Sequence, residues 1–369
     1  MKKLAIIGAS YLQLPLVKRA KEMGLFTICF AWKEGAVCKD VCDRFYDISI
    51  IEKEQILEKC RQEQINGICT IASDTAAPTV AYVAEQMGLV GNSYECSLRA
   101  NDKYLMRNAF QAAGIPCPLY QMVKSEEEEL DYAFTYPLII KPTDRSGSLA
   151  VTKVDGVVSR THALREALRC SFKHEAIVEQ YIEGREISVE FISYQGKHYP
   201  LQITDKVTTG APHFVELEHH QPANLAIEQY QEIYQLTMRA LDALGVTNGA
   251  SHSEYRITKD GRIYVMEIGA RMGGDFIGSH LVQLSTGYDF LRGVIEVALG
   301  EFTPPVRTIN KYSGVYFLSA ETSYLDLYFQ QRPKYIVECE KTRKTISTVT
   351  CSGDRSGYLI YQSDNKLKL

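Results

Sequence analysis

Residues 249–274, with the sequence GASHSEYRITKDGRIYVMEIGARMGG, decide how the fold of this chain is interpreted. Two short apolar runs flank Lys259-Asp260-Gly261, and an Asp-Gly pair between such runs is a strong signal for a β-hairpin. Glu254 lies in the first run and Glu267 in the second. Since side chains alternate along a strand, antiparallel neighbours can turn both carboxylates to one face. We therefore predict a hairpin that presents two glutamates together.

The two glutamates indicate a cation site. Like charges that face each other on a half-buried sheet are destabilising unless a positive charge lies between them, and Mg²⁺ prefers carboxylate oxygens. Arg271 follows Glu267 by four residues and can grip a phosphate or carboxylate beside that metal. Gly273 and Gly274 allow the backbone to approach a ligand closely. An ordinary exposed hairpin with solvated charges is the alternative that these residues alone leave open.

Composition narrows the class of protein. The chain has 369 residues, 45% hydrophobic and 23% charged, which is enough for two or three globular domains. The net charge of -4 argues against a nucleic-acid partner, and the absence of a long apolar run argues against a membrane span. The apolar run near the start is too short for a signal peptide. The ten scattered cysteines, including Cys38 and Cys42, lack zinc-finger spacing and indicate free thiols in a reducing cytoplasm.

The first 98 residues predict a parallel α/β sheet covered on both faces. Short apolar runs alternate with amphipathic helical patterns, and the runs lie at residues 4–7, 27–30 and 67–71. A dinucleotide-binding loop is excluded, because Ser10 and Gln13 stand where that motif needs glycine. Ser10, Gln13 and Asp74 follow predicted strand ends, where ligands bind in such sheets, although a structural loop role is equally open.

The next segment carries separate signals for phosphate binding. Lys103 opens a helix, with Asn101 or Asp102 able to cap it, and Lys141 ends the apolar run PLIIKP. The loop at residues 144–148, DRSGS, is rich in backbone donors that can wrap a phosphate, although it is not a Walker A sequence. A further predicted strand, AIVEQYI at residues 176–182, leads into EGRE.

The order of these motifs resembles the ATP-grasp superfamily over about the first 300 residues. Segments 208–219 and 249–254 are most similar to carboxylate–amine ligases of the L-amino acid ligase type. This resemblance implies an α/β and α+β fold in three parts: an N-terminal parallel α/β domain at 1–98, an ATP-grasp domain at 99–305 and a small β-rich C-terminal domain at 306–369. The ATP-grasp domain is expected to include a mobile lid at about 115–185, and Pro304-Pro305 marks its end.

The same resemblance implies roles for individual residues. Nucleotide contacts are implied for Lys103 and Lys141 on the phosphates, for the lid residues Ser146, Gly147 and Ser148, for the adenine hinge Glu179, Gln180, Tyr181 and Ile182, and for the ribose-binding Glu186. Glu254 and Glu267 are implied as magnesium ligands, and catalysis is implied for these two glutamates, Lys141 and Arg271. Substrate contacts are implied for Glu216, His219, Arg271, Gly273 and Gly274. We interpret His213, His219 and His220 as neighbours of the substrate pocket and not as a metal site, because adjacent strand residues point apart.

The implied activity is an ATP-dependent carboxylate–amine ligase that works through an acyl-phosphate and uses Mg²⁺, or Mn²⁺ in its place. Its expected partners are small carboxylate and amine substrates, and neither nucleic acid nor a membrane is expected as a partner. Assembly into a homodimer is compatible with the resemblance. One residue departs from the family, because Gly269 stands where many relatives carry a metal-binding Asn. Two alternatives stay open: a bicarbonate-activating carboxylase or carbamoyl-phosphate-synthase-like enzyme, and an ATP-binding protein without ligase turnover, the second of which is consistent with Gly269.

Overall fold

The computed structural model describes residues 1–147, 149–211 and 213–369. The strands of the first sheet are β1 Lys3–Ile7, β2 Phe26–Ala31, β3 Arg44–Asp47 and β4 Gly67–Cys69, and helices α1 Leu14–Glu22, α2 Lys53–Glu63 and α3 Ala77–Met87 accompany them. All strands are parallel, in the order β3-β2-β1-β4. In β1, Leu4 and Ile6 pack into one hydrophobic cluster and Ala5 and Ile7 into another. This burial of both faces explains the continuous apolar runs and confirms the predicted parallel α/β domain.

Two consecutive helices, α4 Tyr94–Asn101 and α5 Lys103–Ala112, join this sheet to the next part of the chain. Asp102 caps α5 by accepting hydrogen bonds from the backbone of Tyr104 at 3.0 Å and Leu105 at 3.1 Å. The cap explains why the helix begins at Lys103, as the sequence predicts. The predicted domain boundary at residue 98 falls inside α4, so it does not coincide with a loop.

A second, four-stranded antiparallel sheet forms a layer over the cleft described below. Its strands are β5 Tyr120–Val123, β6 Leu138–Pro142, β7 Thr152–Val154 and β8 Ala176–Gln180, in the order β5-β8-β6-β7, and helix α6 Val157–Cys170 packs on it. Buried apolar residues of α6 and of these strands share one small core. Residues 120–180 therefore have a hydrophobic core of their own, as expected for the lid.

The third sheet is the largest and holds the candidate site. Its strands are β9 Arg185–Tyr194, β10 Lys197–Thr208, β11 Glu216–Gln221, β12 Gly249–Ile257, β13 Ile263–Gly269, β14 Tyr312–Leu318, β15 Ile336–Lys341 and β16 Gly357–Ser363. Their order is β13-β12-β9-β10-β11-β14-β16-β15, with antiparallel neighbours throughout. The accompanying helices are α7 Ile227–Leu244, α8 Val282–Thr286, α9 Phe290–Leu299 and α10 Asp326–Gln331. Helix α7 packs on one face of the sheet and α9 on the other.

The C-terminal strands continue this sheet. Because β14 pairs with β11, residues 312–363 extend the large sheet and do not form a sheet of their own. The predicted C-terminal β-rich region is thus present as strands, but hydrogen bonding crosses its predicted boundary at 305/306. None of the helices in the described ranges has the length and apolar character needed to cross a membrane.

Candidate active site

The hairpin predicted from residues 249–274 is present as β12 and β13. Glu254 and Glu267 are direct cross-strand partners, and the register shifts between Glu254 and Tyr255. Directly opposed residues on one face lie close enough to interact, so the pairing of the two glutamates is confirmed. Both carboxylates line one cleft.

Two lysines offset the negative charge of these glutamates. Lys206 on β10 lies 2.6 Å from a carboxylate oxygen of Glu254 and 3.7 Å from Glu216, while Lys103 lies 3.3 Å from Glu267. Burial acts to raise the pKa of Glu254, but Lys206 and His252 outweigh it and hold that pKa well below its ordinary value. Burial likewise acts to lower the pKa of Lys206, and Glu254 with Glu216 raises it instead. Both groups are therefore charged at neutral pH.

A buried ion triad supports the lysine at the end of β6. Glu179 on β8 is 1% exposed and lies 2.7 Å from Arg107 and 2.8 Å from Lys141. Burial lowers the pKa of Lys141, with Glu179 opposing the shift. Burial acts to raise the pKa of Glu179, yet the charges of Arg107 and Lys141 leave it below its ordinary value. Arg107 also donates to the backbone oxygen of Met266 at 2.6 Å, which ties the triad to the hairpin.

Arg271, just beyond β13, is held by a residue of the N-terminal domain. Its Nε and Nη2 donate to the two carboxylate oxygens of Asp74 at 2.8 and 2.7 Å. Burial acts to lower the pKa of Arg271 and Asp74 raises it, so the guanidinium stays charged. Of the three strand-end residues singled out in the first sheet, Asp74 lines the cleft. Gln13 instead donates to the Ile71 carbonyl at 2.7 Å and accepts from Ser10, so these two have the structural loop role.

Two residues of the predicted adenine hinge, one aromatic and one apolar, form part of the cleft wall. Tyr181 and Ile182 line the cleft, and Arg256 lies over the Tyr181 ring with its Cζ 5.1 Å from the centroid. Arg256 also pairs with Glu186 and donates to the Ile182 carbonyl at 2.8 Å. The side chain of Glu186, predicted to accept from ribose, thus has a cationic partner beside the cleft.

The lid loop lies against Lys103. The Lys103 Nζ donates to the Arg145 carbonyl at 2.6 Å, and the Arg145 guanidinium lies 4.2 Å from the Phe172 ring centroid. Ser146 and Gly147 line the cleft. Ser148, the third predicted loop residue, lies outside the described residues. Lys103 therefore touches both the loop and the hairpin.

Most of the predicted site residues share this one cleft, which has a volume of ≈ 220 Å³. The predicted residues among its walls are Lys103, Lys141, Ser146, Gly147, Glu179, Tyr181, Ile182, Glu186, Glu216, Glu254, Glu267 and Arg271. They come from the lid sheet, the large sheet, α5 and the loops that follow β6, β8 and β13. The residue types combine fixed cations for phosphates with paired carboxylates for a metal.

Four predicted residues do not line this cleft, namely Gln180, His219, Gly273 and Gly274. The Gln180 side chain donates to the carbonyls of Thr135 and Pro137, and so it braces the lid. Gly273 and Gly274 line a separate small cavity beside the N-terminal domain.

His219 is buried beside Asp275, with its Nε2 3.6 Å from that carboxylate, and does not line the cleft. His220 points the other way, towards Glu218 and the Tyr361 hydroxyl, as strand alternation predicts.

Sequence reasoning missed three cleft or cleft-supporting residues. Arg107 follows Lys103 by four residues on α5, and that spacing places both on one helix face, so a signal was present. Lys206 lies in the alternating stretch of β10, which gave no sign of its partner. His252 was given no role, yet it lines the cleft beside Glu190 and Glu254. Burial acts to lower the pKa of His252, and the two glutamates raise it to about 9.

The donor set fits Mg²⁺ bound together with a nucleotide. No group of three or more His, Cys, Asp or Glu residues suited to hold a metal occurs in the described part of the chain. Mg²⁺ usually takes only one or two carboxylates and completes its octahedron with water and substrate phosphates. Glu254 and Glu267, opposed on one face, provide these two carboxylates. Gly269 has no side chain and so adds no side-chain ligand, and the space that a Cβ would take faces Asp74 and Arg271.

Comparison with known proteins agrees with this geometry. Residues 134–279 match the family model for an ATP-grasp domain. The alanine–anticapsin ligase of Bacillus subtilis (strain 168) is 28% identical over 246 residues, which are 60% of this chain and 51% of that protein. The chain thus spans about half the length of this curated relative.

Solved structures match nearly the whole fold. An L-amino acid ligase from Bacillus licheniformis superposes with a TM-score of 0.83 at 24% identity, covering 99% of this chain and 94% of that one. The biotin carboxylase domain of Hydrogenobacter thermophilus 2-oxoglutarate carboxylase, solved with MgADP, ADP and bicarbonate, gives a TM-score of 0.79 at 17% identity, covering 98% and 86%. Residues 134–279 thus match an ATP-grasp domain, and the two solved structures share the fold of nearly the whole chain.

Proposed function

We propose that this protein is an ATP-dependent carboxylate–amine ligase. The observation that carries the proposal is the convergence of Lys103, Lys141, Glu254, Glu267 and Arg271 on one cleft between the lid and the large sheet. Two lysines suit a triphosphate, two opposed carboxylates suit its magnesium, and an arginine suits an anionic reaction species. The likeness to an alanine–anticapsin ligase and an L-amino acid ligase supports C–N bond formation.

The chemistry has two steps. A carboxylate oxygen of the acid substrate attacks the γ-phosphorus of ATP. The bond between that phosphorus and the oxygen that bridges to the β-phosphate breaks, ADP departs, and the acid becomes an acyl-phosphate. The amine nitrogen then attacks the acyl carbon, phosphate leaves with the bonding electrons, and the nitrogen loses a proton to give the amide. Magnesium, when bound at Glu254 and Glu267, would neutralise the charge of the phosphates.

The chain's own residues supply the rest of the stabilisation. Lys103 and Lys141 hold phosphate oxygens, and the Arg107–Glu179–Lys141 triad keeps Lys141 at the end of its strand. Arg271 binds the acyl-phosphate and the tetrahedral species that follows it. The loop at 144–147 covers the phosphates and keeps water from the mixed anhydride. Glu216 lines the same cleft, and its carboxylate would bind the cationic amino group of a substrate.

The test is a screen of phosphate release from ATP and Mg²⁺ with amino acids as acid and amine. We expect release that depends on both substrates. Release that depends on bicarbonate would favour a carboxylating activity instead, and retained ATP binding with no release under any condition would favour a binding protein.

Arg271→Ala is the variant that separates catalysis from nucleotide binding. We expect turnover to fall about a hundredfold, from the loss of roughly 3 kcal/mol of transition-state stabilisation, with ATP affinity little changed. Arg165→Ala is the matched control, because it breaks an exposed pair with Glu126 on the lid surface. An equal loss of ATP affinity and turnover in Arg271→Ala would assign that arginine to the nucleotide.

A further inference from the structure

The contact between Asp74 and Arg271 joins the N-terminal domain to the reaction site. Asp74 follows β4 at the carboxyl edge of the parallel sheet, while Arg271 follows β13, 197 residues later. The two side chains are each 14% exposed and form a two-pronged pair. The backbone supports this junction, because Ile71 forms a parallel bridge with Met272 and the Ala72 N–H donates to the Met272 carbonyl at 3.0 Å.

The pair occupies only one edge of the guanidinium. Nε and Nη2 face Asp74, and Nη1 donates a longer bond of 3.3 Å to the Met272 carbonyl. A guanidinium has five N–H groups in a rigid plane, so within the described residues two of them are uncommitted. Because the group is planar, holding the Nε–Nη2 edge also sets the direction of the remaining N–H groups. Asp74 therefore orients the arginine without using all its donors.

Gly269 makes room for this pair. A Cβ on Gly269 would lie 2.9 Å from the Asp74 Oδ1 and 3.1 Å from the Arg271 Cζ. Its backbone is not among the glycines with positive φ, so conformation alone does not demand glycine here. The space that a side chain would take is filled by the ion pair. Asp74, Gly269 and Arg271 thus form one packed unit, which we call the arginine mount.

We propose that Asp74 is a positioning residue that aims Arg271 at the anionic reaction species, and that Gly269 is required because any side chain there would displace the pair. The proposal rests on the proposed function of Arg271. It adds a role for the N-terminal domain, which would then reach the reacting atoms through Arg271. It also gives Gly269 a steric reason that is separate from metal binding.

The kinetic test uses Asp74→Asn and Gly269→Ala. Each should lower kcat about 10- to 100-fold, the scale of a misplaced catalytic group, while ATP affinity stays within about twofold. In an Arg271→Ala background, Asp74→Asn should cause no further loss, because its effect passes through the arginine. Glu63→Gln, which breaks a pair with Arg44 elsewhere in the same domain, is the control and should keep wild-type kcat. Additive losses, or a fall in ATP affinity matching kcat, would overturn the proposal.

A second readout does not depend on turnover. The Arg271 Nε–H signal, assigned in a ¹H–¹⁵N spectrum with Arg271→Lys, should be protected from solvent exchange in the wild-type protein and lose protection in Asp74→Asn and Gly269→Ala. Unchanged protection in both variants would refute the arginine mount, even if no ligase substrates are found. Loss of Mn²⁺ affinity in Asp74→Asn with ADP present would also refute it, by assigning the carboxylate to the metal.

Discussion

Glu179→Gln should destabilise the fold strongly, although this residue belongs to the segment predicted to read adenine. The carboxylate lies 2.7 Å from Arg107 and 2.8 Å from Lys141, and it is 1% exposed. Each contact has an attraction of about 6 kcal/mol at an effective dielectric constant of 20, most of which offsets the cost of desolvation. Removing one charge leaves both cations buried without their partner. We expect a loss of about 3–5 kcal/mol, the scale measured when one member of a buried pair is removed.

The assay is guanidinium unfolding followed by circular dichroism in the absence of nucleotide. With an m-value of about 4 kcal/mol/M, the midpoint should fall by about 1 M. Glu126→Gln, which breaks the exposed pair with Arg165, is the control and should leave the unfolding midpoint close to that of the wild type, because exposed ion pairs contribute little to stability. A Glu179→Gln midpoint within error of that control would show that the triad contributes no net stability.

Three further outcomes are expected. Lys141→Met should weaken ATP binding about 10- to 100-fold and AMP binding less, since a charged hydrogen bond to phosphate is lost; equal losses in calorimetry would contradict a phosphate contact. Glu254→Gln and Glu267→Gln, measured at a temperature where circular dichroism shows both variants folded, should weaken Mn²⁺ binding in the presence of ADP and remove most ADP formation; unchanged Mn²⁺ titrations would exclude both as ligands. Burial acts to raise the pKa of Glu63, but hydrogen bonds from Tyr46, Arg44 and Lys3 lower it to about 2. The stabilisation that Glu63 contributes should therefore be complete above about pH 4.3 and lost as the pH falls towards 2. Glu63→Gln should accordingly reduce the dependence of the unfolding free energy on pH across that range.

The parts of this fold that sequence predicted depend on local rules. The Asp-Gly turn and the alternation around it determined the hairpin and the opposition of Glu254 and Glu267. Continuous apolar runs indicated a parallel sheet, because both faces of β1 are buried. The lysine at the helix start was found because Asp102 caps that helix. In each case the decisive contacts lie within a few residues of one another or follow from strand periodicity.

The parts that sequence did not predict depend on distant contacts. Lys206 meets Glu254 across 48 residues, and Asp74 meets Arg271 across 197, so neither pairing has a local signature. The sequence predicts a separate C-terminal β-rich domain, since nothing in the composition of its strands shows that β14 pairs with β11. From sequence alone, Gly269 is interpreted as the loss of a metal ligand, whereas its proposed steric role depends on the carboxylate of the distant Asp74.

The charge pairing in the cleft has a consequence for ligand binding. Lys103 contacts Glu267, and the same lysine is proposed to hold a phosphate; Glu254 contacts Lys206. If a triphosphate drew Lys103 away, Glu267 would lose its cation in a site of low dielectric, which costs free energy. A divalent cation at the two glutamates would remove that cost, and it would also bind the phosphates directly. ATP and the metal should therefore raise each other's affinity by the same factor, because the coupling between two bound ligands is reciprocal. The pairing of Lys103 with Glu267 is thus the reason that we expect nucleotide and metal to bind as a unit.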